Sequence, residues 1–370
     1  VAESITNIAA AAIDGIDKVR LSANWMAAAG HSGEDASLFD TVKTVANDMC
    51  RKLGIAIPVG KDSLSMRARW QQDGEEYQVV APVSLIVSAF APVSDATRQL
   101  TPQLRVTDEQ SYLLLFDLGR GANRLGGSCL AQAFNRVGGE APDIDDPALL
   151  GNFFAAIQEL SSRDMLLAYH DRSDGGLLAT VAEMMFASRL GVSLQLSGSR
   201  EGMLAQLFSE EAGAVVQVAK SKLTHVQMLL DRHGVAAQAI GRVERTPVLT
   251  LRDGDNAPLR FERKDLQRAW SETSYRVQAL RDNPATAKDE FDRLLDDADP
   301  GLHAKLTFDA NNDITLPVRG GAKPRVAILR EQGVNSHYEM AAAFMRAGFA
   351  VVDVHMSDLL EGRDDLANYQ

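Results

Sequence analysis

Apolar and polar positions change period repeatedly along this chain. The alanine-rich stretch 1–18 spaces its apolar residues as an amphipathic helix does. Val19 to Asn24 reads as a short strand and Trp25 to Gly33 as a loop. A second helical stretch runs from Ala36 to Leu53, with Gly54 where a terminating glycine belongs. Ile55 to Val59 is extended and leads into a loop, Gly60-Lys61-Asp62-Ser63-Leu64-Ser65-Met66. Arg67 to Trp70 and Tyr77 to Val80 flank Asp73-Gly74, which predicts a hairpin. Pro82 and Pro92 bound an apolar strand from Val83 to Phe90, and the turn-rich stretch at Pro102 predicts a domain boundary.

A second module follows from near Val106. Tyr112 to Phe116 predicts a buried strand, Gly119 to Ser128 a glycine-rich loop, and Cys129 to Arg136 a helix. That order is a phosphate-cradle layout, although the loop fits neither the P-loop nor the dinucleotide fingerprint. Arg120 and Arg124 either add positive charge to it or simply face water. Helices are predicted at Pro147–Leu160, Leu177–Ser188 and Leu223–His233, the last closed by Gly234. Strands are predicted at Met165–Tyr169, Val192–Leu196, Ala214–Val218 and Ala236–Val243, with a terminal hairpin turning at Asp253-Gly254. Strands alternating with helices define a mixed α/β layer architecture.

Residues 264–320 change character. Trp270 and Tyr275 ride a helix, charges are dense from Lys288 to Asp299, and Asn311-Asn312-Asp313 and Gly320-Gly321 are turn-prone. This predicts a connector. Val326–Leu329, Gly333-Val334-Asn335, helix Ser336–Ala347 and strand Phe349–His355 then form one βαβ unit, the opening of a doubly wound parallel sheet.

The densest chemistry is His170-Asp171-Arg172-Ser173-Asp174-Gly175-Gly176, at a predicted strand-to-helix turn. A helix N-terminus offers unpaired N–H groups, and glycine lets the backbone come close. Asp171 is a hard oxygen ligand suited to Mg²⁺. The plain alternative is that Ser173 or Asp174 only caps the helix. Glu3 and Asn7 lie four apart on one helical face, so both could reach one cation, or Glu3 is a solvated first-turn acid. Lys61 beside Asp62 and Ser63 either contacts phosphate or is an ordinary surface lysine.

Composition narrows the choices. A net charge of −12 argues against nucleic acid as a partner, and an anionic nucleotide would need a metal or local basic groups. Cys50 and Cys129, the only cysteines, both fall in helical patterns, which predicts buried reduced thiols and a cytoplasmic setting. No apolar run reaches the ~18 residues of a membrane helix, and the first residues lack the basic n-region of a secretory signal. Val1 stands inside a helical pattern and Gln370 just past a strand and loop, so a piece of a longer polypeptide is expected.

In this order, the runs Gly60 to Met66, Ser84 to Pro92, Leu118 to Gly127, His170 to Gly176, Leu280-Arg281-Asp282-Asn283-Pro284 and Arg325 to Asn335 resemble the large single-chain formylglycinamide ribonucleotide amidotransferases, the FGAM synthetases of purine biosynthesis. The resemblance implies an α/β and α+β chain. Residues 1–105 would be a barrel-forming N-type module and 106–263 a C-type α/β module. Together they would make the second of two aminoimidazole-ribonucleotide-synthetase-like halves. Residues 264–322 would be the connector and 323–370 the start of a flavodoxin-like class I glutaminase domain. It implies an ATP-dependent C–N ligase that converts formylglycinamide ribonucleotide, ATP and glutamine to the amidine, ADP, phosphate and glutamate, with ammonia released from glutamine.

Residue by residue, Glu3, Asn7 and Asp171 match magnesium ligands on a bound ATP or ADP, and Ser173 a nucleotide contact. Lys61 resembles a phosphate-contacting lysine, and Gly175 lies in the same nucleotide-binding turn. No catalytic residue is expected in this stretch: the glutaminase Cys, His and Glu, like the first synthetase half, would lie elsewhere in the polypeptide. The nucleotide held here is expected to be structural, since Arg124 to Ser128 lacks the acidic and threonine-rich character of a site that turns over, and the piece alone is expected to be inactive. The alternatives are a stand-alone ATP-dependent synthetase of the same superfamily and a non-catalytic nucleotide-binding scaffold.

Overall fold

The first helix, α1 (Ala2–Ile8), is much shorter than the pattern over 1–18 predicts. The backbone leaves the helix because the Gln158 side chain supplies other partners: it accepts from the N–H of Ile13 and donates to the carbonyls of Ala9 and Ala11. Glu3 and Asn7 both remain on the helical turn. The computed structural model describes residues 1–196, 200–253, 256–312 and 321–369. The expected turn residues Gly254, Asp313 and Gly320, and Gln370, lie outside the described residues.

Two compact units divide the chain, Val1–Ala298 and Asp299–Gln370. In the first, β1 (Arg20–Met26) is central to a three-stranded sheet. It is followed by α2 (Glu34–Lys43), a wider π-helical stretch at Thr44–Cys50, and α3 (Arg51–Leu53). Gly54 ends this run in the left-handed conformation at φ 70°, as its position in the sequence predicts. The π turn has no signature in apolar spacing, so one continuous helix was the natural expectation.

Strand β2 (Ala56–Ser63) pairs parallel with β1 as far as Met26↔Ser63. Lys61 therefore stands on a strand and not in the loop that the glycine and serines suggest. The hairpin β3 (Arg67–Gln72) and β4 (Glu75–Val80) turns at Asp73-Gly74, with Trp70 stacked on Tyr77 at 5.6 Å. Strand β5 (Ser84–Phe90) pairs antiparallel with β1 on its other side.

The seven-stranded sheet begins at β6 (Ser111–Asp117). Then come α4 (Cys129–Ala133), α5 (Pro147–Ser162), β7 (Ala168–Arg172), α6 (Gly176–Ser188), β8 (Gly191–Leu196), α7 (Arg200–Phe208), β9 (Gly213–Ala219) and α8 (Leu223–His233). The module closes with β10 (Gln238–Glu244), β11 (Val248–Asp253) and β12 (Leu259–Glu262), and α9 (Arg263–Arg281) and α10 (Pro284–Arg293) follow. The strand order is β12-β11-β8-β10-β6-β9-β7.

Both faces of this sheet are covered, which is why its central strands are apolar without interruption. On β6, Leu114 and Phe116 face one core with Val216 and Val218 of β9, Phe153 and Ile157 of α5, and Ile5 of α1. Leu113 and Leu115 face the other, with Val215 and with Val181 and Met185 of α6. Cys50 is buried, but Cys129 is exposed, because α4 is a single short turn at the surface.

In the second unit, β13 (Arg325–Arg330) and β14 (Ala350–His355) are parallel, joined through α11 (His337–Arg346), with α12 (Met356–Leu360) after them. This is the expected βαβ unit.

Candidate functional site

Strand β7 builds the site by alternation. Tyr169 and Asp171 point to the same side, toward α1. The buried Tyr169 hydroxyl donates to the carbonyl of Thr6, and the Asp171 Oδ1 accepts from the Asn7 Nδ2 at 3.2 Å. Two successive same-face residues thus hold one turn of helix, and Asn7 meets Asp171 across 164 positions of sequence. The strand runs three residues further than predicted, because Asp171↔Ala214 and Arg172↔Gly213 still pair with β9. Asp171 is therefore a buried strand residue, and only Ser173 to Gly175 make the turn.

A cavity of roughly 510 Å³ opens here, lined by Glu3, Asn7 and Asp171 and walled by Leu85 to Ala89 of β5. A second, of roughly 400 Å³, is lined by Glu3, Ser173, Asp174, Glu210, Arg172 and Asp143. Glu3 borders both. Its carboxyl is held above the usual range, by partial burial first and then by Asp174, Asp171 and Glu210. Such crowding of acids is what a divalent cation would relieve, and Glu3, Asn7 and Asp171 on the first cavity all offer hard oxygens. With Nδ2 engaged, Asn7 keeps its amide oxygen open to a ligand. The donor set therefore fits magnesium.

Among the described residues, Arg172 is the one basic side chain on either cavity wall, and its charge is already used. The guanidinium is 1% exposed and donates to Asp117 Oδ1 and to the Glu211 and Ala212 carbonyls. The glycine-rich loop is similar. Arg124 pairs with Glu211 and Asp145, and Arg120 with Asp146.

Gly175 has φ 80° and its N–H donates to Glu210 Oε1 at 2.8 Å, where the N–H of Cys129 also donates. A carboxylate of the chain thus occupies the anion position between these two helix starts. Cys129, Asp174 and Glu210 bring ligand atoms within 4.8 Å of one another. Ser173 lines the second cavity. Lys61 lines neither; its ammonium hydrogen-bonds Ser63 Oγ at 2.9 Å. The structure therefore gathers Glu3, Asn7, Asp171 and Ser173 and leaves Lys61 apart.

Sequence reasoning gave no role to three residues beside the site, His170, Glu183 and Glu211. His170 contacts Asp171 Oδ1 at 3.4 Å and Glu183 Oε2 at 2.8 Å. Burial works against its charge, but the hydrogen bonds to Asp171 and Glu183 outweigh it and push its pKa up to about 9. Glu183 was detectable as the lone charge in the otherwise apolar run of α6. Glu211, fully buried, is marked only by its place beside Glu210 just before an apolar strand.

Three family models match in succession. Residues 1–92 match the FGAR-AT PurM_N-like domain, 113–254 the AIR synthase related protein C-terminal domain, and 323–370 the CobB/CobQ-like glutamine amidotransferase domain. Among solved structures, PurLQS from Thermotoga maritima is similar at 15% identity and a TM-score of 0.49, over 71% of this chain and 40% of its own. T. maritima PurL complexed with ATP is similar at 12% identity and 0.46, over 71% and 39%. The hydrogenase maturation protein HypE of E. coli is similar at 17% identity and 0.48, over 70% and 78%. The chain thus spans about 40% of the length of the PurL structures it matches.

The order of domains is that of an aminoimidazole-ribonucleotide-synthetase-type half leading into a glutamine amidotransferase domain. These three matches in this order support a fragment of the formylglycinamide ribonucleotide amidotransferase (FGAM synthetase) type, with the start of its glutaminase domain. The glutaminase segment argues against a stand-alone synthetase. Among the described residues, no helix is long and apolar enough to cross a membrane.

Proposed function

We propose that this chain provides the second synthetase half of an ATP- and glutamine-dependent amidotransferase, and that this half holds a Mg²⁺-nucleotide. The enzyme's reaction would be the conversion of formylglycinamide ribonucleotide to the amidine, with glutamine as the source of ammonia. One observation carries the reading: Asn7 and Asp171 meet at 3.2 Å on a cavity that Glu3 also lines. A volume of roughly 510 Å³ is within the ordinary range for a small-molecule site. The apolar edge of β5 suits the nucleoside part, and Ser173 supplies a hydroxyl at the neighbouring opening.

Bound magnesium would supply the positive charge that makes a polyphosphate tolerable beside these acids. The residues of this chain hold and orient: Asp171 and Glu3 offer carboxylate oxygens, Asn7 an amide oxygen. Gly175 contributes the left-handed turn, with its own N–H committed to Glu210. A structural role fits this half best. The loop arginines are locked in ion pairs, and Glu210 fills the place where a transferred phosphate would need donors.

Equilibrium dialysis of the chain with Mg·ADP tests the reading. One nucleotide per chain is expected for the wild type and none for Asp171→Ala. Unchanged stoichiometry in the variant would count against it. Steady-state ATP hydrolysis by the same chain is expected to be absent, and turnover would overturn the structural role.

A further inference from the structure

Asp171 is steadied by one oxygen only. Its Oδ1 takes both the Asn7 Nδ2 at 3.2 Å and the His170 ring contact at 3.4 Å. Among the described residues, no hydrogen bond reaches Oδ2, so one oxygen is set by the protein and one is left to a ligand. The other nitrogen of His170 meets Glu183 Oε2 at 2.8 Å. The second oxygen of Glu183 accepts from the Trp270 indole N–H at 2.9 Å. Trp270 belongs to α9, and its ring meets Phe186 of α6 edge-on at 6.0 Å. A line of side chains therefore runs Trp270, Glu183, His170, Asp171, Asn7, joining α9, α6, β7 and α1.

Trp270 lies outside all three segments that the family models match. The line thus ties the helix after the synthetase module to the proposed nucleotide site.

We propose that Glu183 and Trp270 are positioning residues for Asp171, and that α9 docking and nucleotide binding are coupled through them. The inference rests on the reading of this cavity as a Mg-nucleotide site. Its physical basis is that each link has one solution. The two nitrogens of His170 are both engaged, which holds its ring plane, and the two oxygens of Glu183 are both engaged, which holds its carboxylate. A ligand carboxylate held this way pays less to adopt its bound geometry, and losing such supporting partners typically costs 10–100-fold in metal affinity. Coupling is reciprocal: if the α9 contact favours binding, binding must strengthen the α9 contact.

The test uses the whole 370-residue chain with Trp25→Phe and Trp70→Phe, which leaves Trp270 as its single tryptophan. Mg·ADP is titrated by calorimetry and by tryptophan emission. A saturable emission change tracking the calorimetric binding curve is expected. Glu183→Ala is expected to weaken binding about tenfold or more and to abolish the emission change. Glu183→Gln, which keeps an acceptor oxygen, is expected to restore part of both.

Trp270→Phe keeps an aromatic ring beside Phe186 and removes the indole N–H. It decides the matter by calorimetry if Glu183→Ala fails to fold, a several-fold weakening being expected. If Asp171→Asn binds as tightly as the wild type, or the wild type does not bind, the site reading falls and this inference with it. If Asp171→Asn loses binding while Glu183→Ala or, failing that, Trp270→Phe binds as the wild type does, the positioning role alone is overturned.

Discussion

The guanidinium of Arg124 grips the carboxylate of Glu211 from 87 residues away, Nε to Oε1 at 2.6 Å and Nη2 to Oε2 at 3.0 Å. The glutamate side chain is fully buried and the arginine side chain 13% exposed. Water therefore cannot replace either partner. Arg124→Ala is expected to destabilise the fold by about 3–5 kcal/mol, because it leaves the buried Glu211 carboxylate without its cation, and Glu211→Ala to cost less, because Arg124 keeps Asp145. Urea unfolding of both variants and the double variant checks this. The double loss should fall well short of the sum of the single losses.

Gly176 stands at φ 67°, and a Cβ added there would lie 2.6 Å from the carbonyl oxygen of Ser209 and 2.8 Å from the carbonyl carbon of Phe208. Both are backbone atoms and cannot swing aside. Gly176→Ala is expected to cost about 1–3 kcal/mol from the left-handed backbone alone, with the clash added. A lowered thermal midpoint would show it, and a midpoint within a degree or so of wild type would refute the packing described here.

Acid should weaken the α5–α8 contact. A hydrogen bond with His233 holds the Glu159 carboxyl below its usual range; partial burial opposes this, and Arg232 adds to it. A carboxyl lowered in the folded state contributes stability above its unfolded pKa, near 4.5, and loses it as the pH falls through the lower folded value. Glu159→Gln should therefore be less stable than wild type near neutrality, with the gap closing in acid below the folded pKa. Urea midpoints measured across that range give the comparison.

Phe153 packs edge-on against Phe116 at 5.4 Å, both fully buried. Phe153→Ala is expected to cost about 3–5 kcal/mol. Phe39, 67% exposed on α2, should tolerate alanine within about 0.5 kcal/mol. Paired chemical unfolding curves distinguish the two.

Removing magnesium should disable nucleotide binding. Asp171, Asp174 and Glu210 lie close enough to raise the Glu3 carboxyl, and Arg172, the basic side chain on the described cavity walls, is already paired with Asp117. ADP with excess chelator is expected to bind more than about tenfold more weakly than Mg·ADP, a difference of 1.4 kcal/mol or more. Calorimetry under both conditions measures it.

Much of the local structure was legible because its causes are local. Asp73-Gly74 turns a hairpin, and Gly54 and Gly234 close helices, since these residues adopt left-handed backbone cheaply. Helix Leu223–His233 falls where its apolar spacing puts it. The first helix was overread because alanines continue a helical period that the Gln158 side chain breaks. Lys61 was misplaced because a glycine and serines suggest a loop, while parallel pairing with β1 keeps the chain extended.

By itself, the order of residues determined where the chain turns, which faces are apolar and which segments hold acids. Only the packed fold decided that Asn7 would reach Asp171, that Arg124 would be consumed by Glu211, and that Glu210 would take the Gly175 N–H. Spacing along a chain constrains partners a few residues apart. Contacts across 35 to 164 residues depend on which strands become neighbours and in what register. That choice is made by burying both faces of the central sheet at once.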